Sequence, residues 1–254
     1  KDGRVTDIIT EEYDESHQLI EECMLAANEA VALTLKNRNR PTIYRVHEEP
    51  DSAKLFEFGQ LCKLYGHPVH DIGQRQYLNE LMKSIKGSPD EQLLKLALLK
   101  SLMRARYDTE PLGHYGLATA NYCHFTSPIR RYPDLAIHRI MTAQLKGTDK
   151  DTMILRYSEF AEDVSKQASE REVIAMQIER KAEDCYKAEY ARRHLGECYE
   201  GRISGVTQRG LFIELENGVE GFVPASSLTA TGTMLTEGVR LSCLLYTSDA
   251  ADEA

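Results

Sequence analysis

No stretch of this 254-residue sequence approaches the roughly 20 consecutive apolar residues that a helix needs to cross a bilayer, which excludes a helical membrane span. The first residues hold neither an initiator Met nor an apolar signal core, so no secretory signal is seen. A chain opening at Lys1 is expected to be part of something longer. Cysteine is scattered: Cys23, Cys62, Cys123, Cys185, Cys198 and Cys243 come no closer than thirteen positions. Without a CxxC pair, neither a zinc site nor a redox motif is suggested, and the thiols are expected to be buried in a cytosolic protein. Positive charge is not in excess either. Lys plus Arg number 31 against 40 Asp plus Glu, for a net charge of −9. A chain that coats itself onto nucleic acid is usually basic, so any such role here must come from a local site. Tandem repeats and low-complexity segments are missing as well. What is present, 42% hydrophobic and 28% charged residues, fits one large globular domain or two smaller ones.

Helical spacing of Leu19, Ile20, Cys23, Met24, Ala27 and Val31 predicts a helix over 14–36, capped by Asp14 or Ser16. An extended segment is expected over Pro41–His47, then helices over 52–65 and 74–86. Ser88-Pro89-Asp90-Glu91 reads as a capping box with Pro at the first helical position, opening a leucine-rich helix to about Arg106. Leu117–Tyr122 suggests a strand, Pro133 opens a further helix, and 152–193 is one long helix without Pro or Gly. At Gly196 the pattern changes to strands over 199–206, 210–215 and 221–223, with Asn217-Gly218 as a hairpin turn. A domain boundary is placed at 195–197.

The segment that carries chemistry is 113–139. Between residues 100 and 146 there are seven basic and three acidic side chains, a positive island in an acidic chain. Tyr107, Tyr115, Tyr122, Phe125 and Tyr132 interleave with them. Arginine grips phosphate bidentately, rings stack on unpaired bases, and hydroxyls such as Thr126 and Ser127 before a helix add phosphate donors. This is the make-up of a single-stranded nucleic-acid site. The residues alone equally allow Arg130 and Arg131 on a solvated face and Tyr132-Pro133-Asp134 as a plain helix start.

His124-Phe125-Thr126-Ser127-Pro128-Ile129-Arg130-Arg131-Tyr132-Pro133-Asp134, preceded by Gly113-His114-Tyr115-Gly116-Leu117-Ala118, resembles the signature of the ribonuclease II and ribonuclease R family. Residues 20–28, 45–50, 169–172 and 178–180 resemble the same family in the same order, and details favour the ribonuclease R branch. The resemblance implies an α+β chain: the mostly helical C-terminal part of an RNB catalytic domain over 1–195, then an incomplete S1-type β-barrel over 197–242. It also implies a cytoplasmic, monomeric, processive 3′-to-5′ exoribonuclease that binds single-stranded RNA and releases nucleoside 5′-monophosphates. Arg130 would contact the scissile phosphate. Ser127 would add a phosphate donor, and Arg131 would support the site or pair internally. Glu170 matches a family acid near the RNA path, or is only a helix-surface partner. The family's magnesium is held by aspartates upstream of the residue matching Ile20. Asp2, Asp7 and Asp14 lack the close spacing two metals need, and His67-Pro68-Val69-His70-Asp71 is a weak metal pattern. The Mg2+ ligands are therefore expected outside this chain, leaving it inactive by itself. The other reading is a non-catalytic RNA-binding or regulatory protein that keeps both folds.

In the S1-like part Phe212 stands at the Gly-x-Phe turn, Arg209 where an aromatic is common, and Pro224 where His is common. Arg209 and Phe212 are the expected RNA contacts there. With three basic and nine acidic residues over 197–254, the alternative is a barrel that only shields a channel. Residues 243–254 do not resemble an S1 strand and are expected to lie apart from the module.

Overall fold

The computed structural model describes residues 5–9, 14–88, 90–207, 209–229 and 241–244. It divides the chain into two compact units, Tyr13–Ile174, and Ala175–Ala254 together with Lys1–Glu12.

In the first unit, α1 (Glu15–Asn37) starts at Asp14, whose carboxylate accepts the N–H groups of Ser16 and His17, each at 3.0 Å. Of the two expected caps, Asp14 is the one used; the Ser16 hydroxyl, donating to the same oxygen at 2.6 Å, and then these N–H groups hold its pKa down at about 2. Strand β1 (Tyr44–Val46) pairs antiparallel with β2 (Arg106–Asp108), in register Arg45 to Tyr107. Between them the chain makes an excursion of three helices, α2 (Ser52–Leu64), α3 (Arg75–Ile85) and α4 (Glu91–Ser101). Helices α5 (Tyr132–Leu145) and α6 (Lys150–Arg193) follow, α6 continuing past Ile174 into the second unit. Two cores form. Leu35, Ile43, Val46, Ile137, Ile140 and Met153 lie in the main one. Phe58, Cys62, Leu78, Leu81, Ile85 and Leu94 make a separate core inside the three-helix insert.

Three expectations need correction. Helix α4 stops at Ser101 instead of running to Arg106, because 106–108 are drawn into pairing with β1. The Ser88–Glu91 box does not close: the Glu91 carboxylate accepts from the Gly87 N–H at 2.7 Å, and the buried Ser88 hydroxyl is without a partner. Pro89 lies outside the described residues. Leu117–Tyr122 is no strand. A 3-10 turn spans Tyr115–Leu117, Ala118 is left-handed at φ 58°, and one bridge joins His114 to Thr119.

The second unit holds a four-stranded antiparallel sheet in the order Glu220–Pro224, Gly210–Leu215, Cys198–Thr207, Leu241–Leu244. Strands β3 (Cys198–Thr207), β4 (Gly210–Leu215) and β5 (Glu220–Pro224) form a meander. Asn217-Gly218 turns the chain between β4 and β5, with Gly218 at φ +76°, where a side chain would be strained. Leu211, Ile213 and Val223 form its small core, joined by Ile203. A short helix α7 (Ala225–Thr229) follows. Strand β6 (Leu241–Leu244) pairs with Cys198–Gly201. Cys243 and Leu244, expected to lie apart from the module, are therefore part of its sheet, because backbone pairing to β3 does not depend on side-chain type. Residues 245–254 lie outside the described residues. This is an α+β chain, a mostly helical part followed by an incomplete barrel. Of the cysteines expected to be buried, Cys62 and Cys123 are, whereas Cys23, Cys185 and Cys198 are exposed. No described helix is long and apolar enough to cross a membrane.

Candidate nucleic-acid interface

The loop before α5 is held from two sides. Asn28, buried on α1, accepts the N–H groups of Phe125 (2.9 Å) and Thr126 (3.2 Å) on its side-chain oxygen. Its amide donates to the Tyr122 hydroxyl at 3.0 Å. Asp134, wholly buried in the first turn of α5, accepts the Ser127 N–H (2.7 Å) and Arg131 Nη2 (2.9 Å) on one oxygen. A carboxylate there also suits the positive end of the helix. Ser127 O in turn accepts the N–H groups of Arg130 and Arg131. The loop 125–131 is thus pinned by buried side chains and is preorganised.

The two arginines part company on this loop. Arg131 turns inward, half-buried, and its charge is matched by Asp134. Arg130 is exposed, and among the described residues its guanidinium has no hydrogen-bond or ion-pair partner. Ser127 is half-buried beside it. The same loop therefore presents one uncompensated, permanently charged fork to solvent.

Rings of the same unit form a ladder. Tyr115, His47, His114, Tyr122, His124 and Tyr107 follow one another at centroid separations of 6.2, 5.1, 5.4, 5.8 and 5.6 Å, each pair edge to face. Arginines sit over both end rings: Arg75 over Tyr115 at 5.3 Å and Arg45 over Tyr107 at 4.7 Å. Arg45 is also paired with Glu172 of α6 at 2.7 Å. The Tyr107 hydroxyl and His124 Nδ1 share a 2.9 Å hydrogen bond. Burial, then the nearby Arg131, pushes His124 down to about 3, and burial, then His47, pushes His114 down to about 4. Both are neutral near pH 7. Gly116 belongs to this packing: its N–H donates to His47 Nδ1 at 3.1 Å, and a Cβ there would stand 2.9 Å from the same atom. The ladder corrects the expectation of base-stacking rings. Tyr107 and Tyr122 are each only 6% exposed, and Phe125 is stacked on His138 at 3.9 Å. Of the five interleaved aromatics only Tyr132 is exposed.

Glu170 is exposed on α6, whereas Glu172, two residues on, reaches Arg45. Asn28 and Glu172 stand at the ends of the resembling stretches 20–28 and 169–172, but the sequence assigns no role to either. A helical carboxylate and a lone buried amide give no local signal, since their partners lie 127 and 94–98 positions away. In the sheet, Arg209 is exposed, and Phe212 lies against Phe222 at 5.1 Å. Phe222, also missed, was accessible from the hairpin register, which pairs it directly with Phe212.

Among the described residues no group of three His, Cys, Asp or Glu side chains is arranged to hold a metal ion. Asp134 and Glu172 are committed to arginines, and Asp14 caps α1. The described residues do not fit a magnesium seat.

The RNB domain family matches residues 1–147, and the S1 RNA binding domain matches residues 194–242. Ribonuclease R 1 of Lactococcus lactis subsp. lactis (strain IL1403) is 40% identical over 216 residues, covering 84% of this chain and 26% of that protein. Ribonuclease R of Aquifex aeolicus (strain VF5) is 37% identical over 231 residues, covering 89% and 32%. The solved structure of Mycoplasma genitalium RNase R in complex with ribose methylated single-stranded RNA matches with a TM-score of 0.77 at 27% identity, covering 85% of this chain and 35% of that one. The chain spans between a quarter and a third of the length of these curated relatives. It belongs to the ribonuclease R family, with an RNB domain followed by an S1 RNA-binding domain.

Proposed function

We propose that this chain works in a processive, magnesium-dependent 3′-to-5′ exoribonuclease, cytoplasmic and monomeric, that hydrolyses single-stranded RNA and releases nucleoside 5′-monophosphates. The observation that carries this is Arg130, exposed and without a counter-ion on a loop fixed by Asn28 and Asp134. A guanidinium that cannot deprotonate, held in place before the substrate arrives, suits the charge that grows on a phosphate during hydrolysis. Because the loop is already ordered, little reorganisation opposes that contact. Arg131 is assigned to holding the loop through Asp134. Ser127, Glu170, Arg209 and Phe212 complete the set assigned to the RNA path, with Phe222 beside Phe212. The magnesium of this reading has its ligands outside the described residues. The domain division proposed is 1–195 for the RNB part and 197–242 for the S1 part, its sheet reaching 244.

The test is 5′-labelled single-stranded RNA incubated with the purified chain and magnesium, read once for mobility shift and once for shortening. A shift without shortening is expected. Stepwise shortening from the 3′ end would place the metal site within these 254 residues and overturn that part of the assignment. Neither shift nor shortening would sink the RNA reading. The same shift without shortening from the natural full-length protein would instead favour a non-catalytic RNA-binding protein.

A further inference from the structure

Arg75 occupies an unusual place. It is the first residue of α3, where a cation opposes the positive end of the helix and Asp or Glu is preferred. Its fork points away from α3 and across to the 113–119 turn. Nη1 donates to Tyr115 O, and Nη2 donates to Gly116 O at 3.2 Å. Its guanidinium also lies over the Tyr115 ring. That ring packs against the core of the three-helix insert, while the Tyr115 N–H donates to His47 O at 2.8 Å. Tyr115 therefore has its side chain in the insert and its backbone in the ring ladder. The turn carries strain at one residue: Ala118, which is not glycine, is left-handed at φ 58°.

We propose that Arg75 is a positioning residue for the RNA-binding loop: acting from the helical insert, it fixes the 113–119 turn, whose rings in sequence seat His124 and the loop that ends in Arg130. This rests on the RNA reading above. It gives the insert a role in shaping the site without contributing a side chain to it. Two carbonyls are tied by one planar fork, so the geometry demands arginine; a lysine keeps the charge but not the paired contact.

The test compares Arg75→Gln and Arg75→Lys with the unaltered chain in two measurements. One is the affinity for a labelled single-stranded RNA. The other is the NMR signature of the imidazole rings of His47, His114 and His124 without RNA. Arg75→Gln loses two charged hydrogen bonds, of which only part reaches the loop, and is expected to weaken binding about ten-fold and to move all three rings. Arg75→Lys should recover only part of both. A lower melting temperature with unmoved rings and unchanged affinity would show Arg75 to be a prop of the insert alone and overturn the proposal. If Arg75→Gln does not fold, Arg75→Lys decides by the same two readings. Absence of RNA binding by the unaltered chain would sink the RNA reading and this role with it, whereas intact binding with unmoved rings sinks this role alone.

Discussion

Replacing Asn28 with alanine breaks the joint between α1 and the loop that carries Arg130. Asn28 is 2% exposed and its side chain makes three hydrogen bonds, two from backbone N–H groups and one to Tyr122. Removing a partner from a buried polar group costs about 1–3 kcal/mol. Three such losses at the low end of that range give about 3 kcal/mol. For a domain of this size that corresponds to a melting point lower by roughly 6–12 °C. Denaturant titration of the chain, followed by circular dichroism, measures it, and a mobility shift should show weaker RNA binding because Phe125 and Thr126 lead directly into Ser127. A double-mutant cycle sharpens the argument. Tyr122→Phe removes only the third bond and should cost about 1 kcal/mol. Combined with Asn28→Ala the total should stay near 3 kcal/mol and not rise to about 4, because the same bond cannot be lost twice. Additive costs, or an Asn28→Ala penalty under about 1 kcal/mol, would refute the reasoning.

The ring ladder makes stability depend on pH. His114 and His124 are held at about 4 and about 3, below the ordinary 6.5, so between those values the unfolded chain binds protons that the folded chain refuses. Their contribution is complete above about pH 6.5 and is lost as pH falls toward 4 and 3, with a slope of about 1.4 kcal/mol per pH unit for each histidine. Denaturant midpoints from about pH 7 down to about pH 5 should fall accordingly, and a flat profile would deny the buried neutral rings. On the proposed function, Arg130→Ala in a protein that carries the metal ligands should cut turnover strongly and change RNA binding less; equal loss of both would remove the proposed transition-state role. Phe212→Ala should weaken binding and leave the chemistry intact, and if titration and turnover both stay unchanged, the proposed RNA role of the sheet fails and the shielding alternative is favoured.

Helices α1, α2, α3, α5 and α6 were legible because their apolar spacing and end signals are local. The end of α4 was not. The leucine pattern runs on through Leu102, with no Gly or Pro to stop it, and the strand that replaces it is created by pairing with Tyr44–Val46 some sixty residues earlier. The meander was readable from Asn217-Gly218, whereas β6 was hidden because its partner, β3, fixes it through backbone alone. At the site, the motif around Arg130 stood out by composition and resemblance. Its supports, Asn28, Asp134 and Glu172, all lie in stretches that resemble the family, but their roles are defined by contacts rather than by neighbours in sequence. The burial of the tyrosines was equally invisible, since an interleaved aromatic looks the same whether it faces a base or a histidine.

The separation of the two cores carries a consequence for how the chain breathes and drifts. The insert closes on its own apolar residues and meets the rest of its unit chiefly at Tyr115 and Arg75. Such a segment behaves as its own cooperative opening unit. Its amides can exchange with solvent through a local opening that leaves Ile137, Ile140 and Met153 packed. Changes of volume at Leu78 or Ile85 must be compensated inside the insert, so its interior can vary over time largely independently of the main core, provided the arginine at its edge keeps its grip.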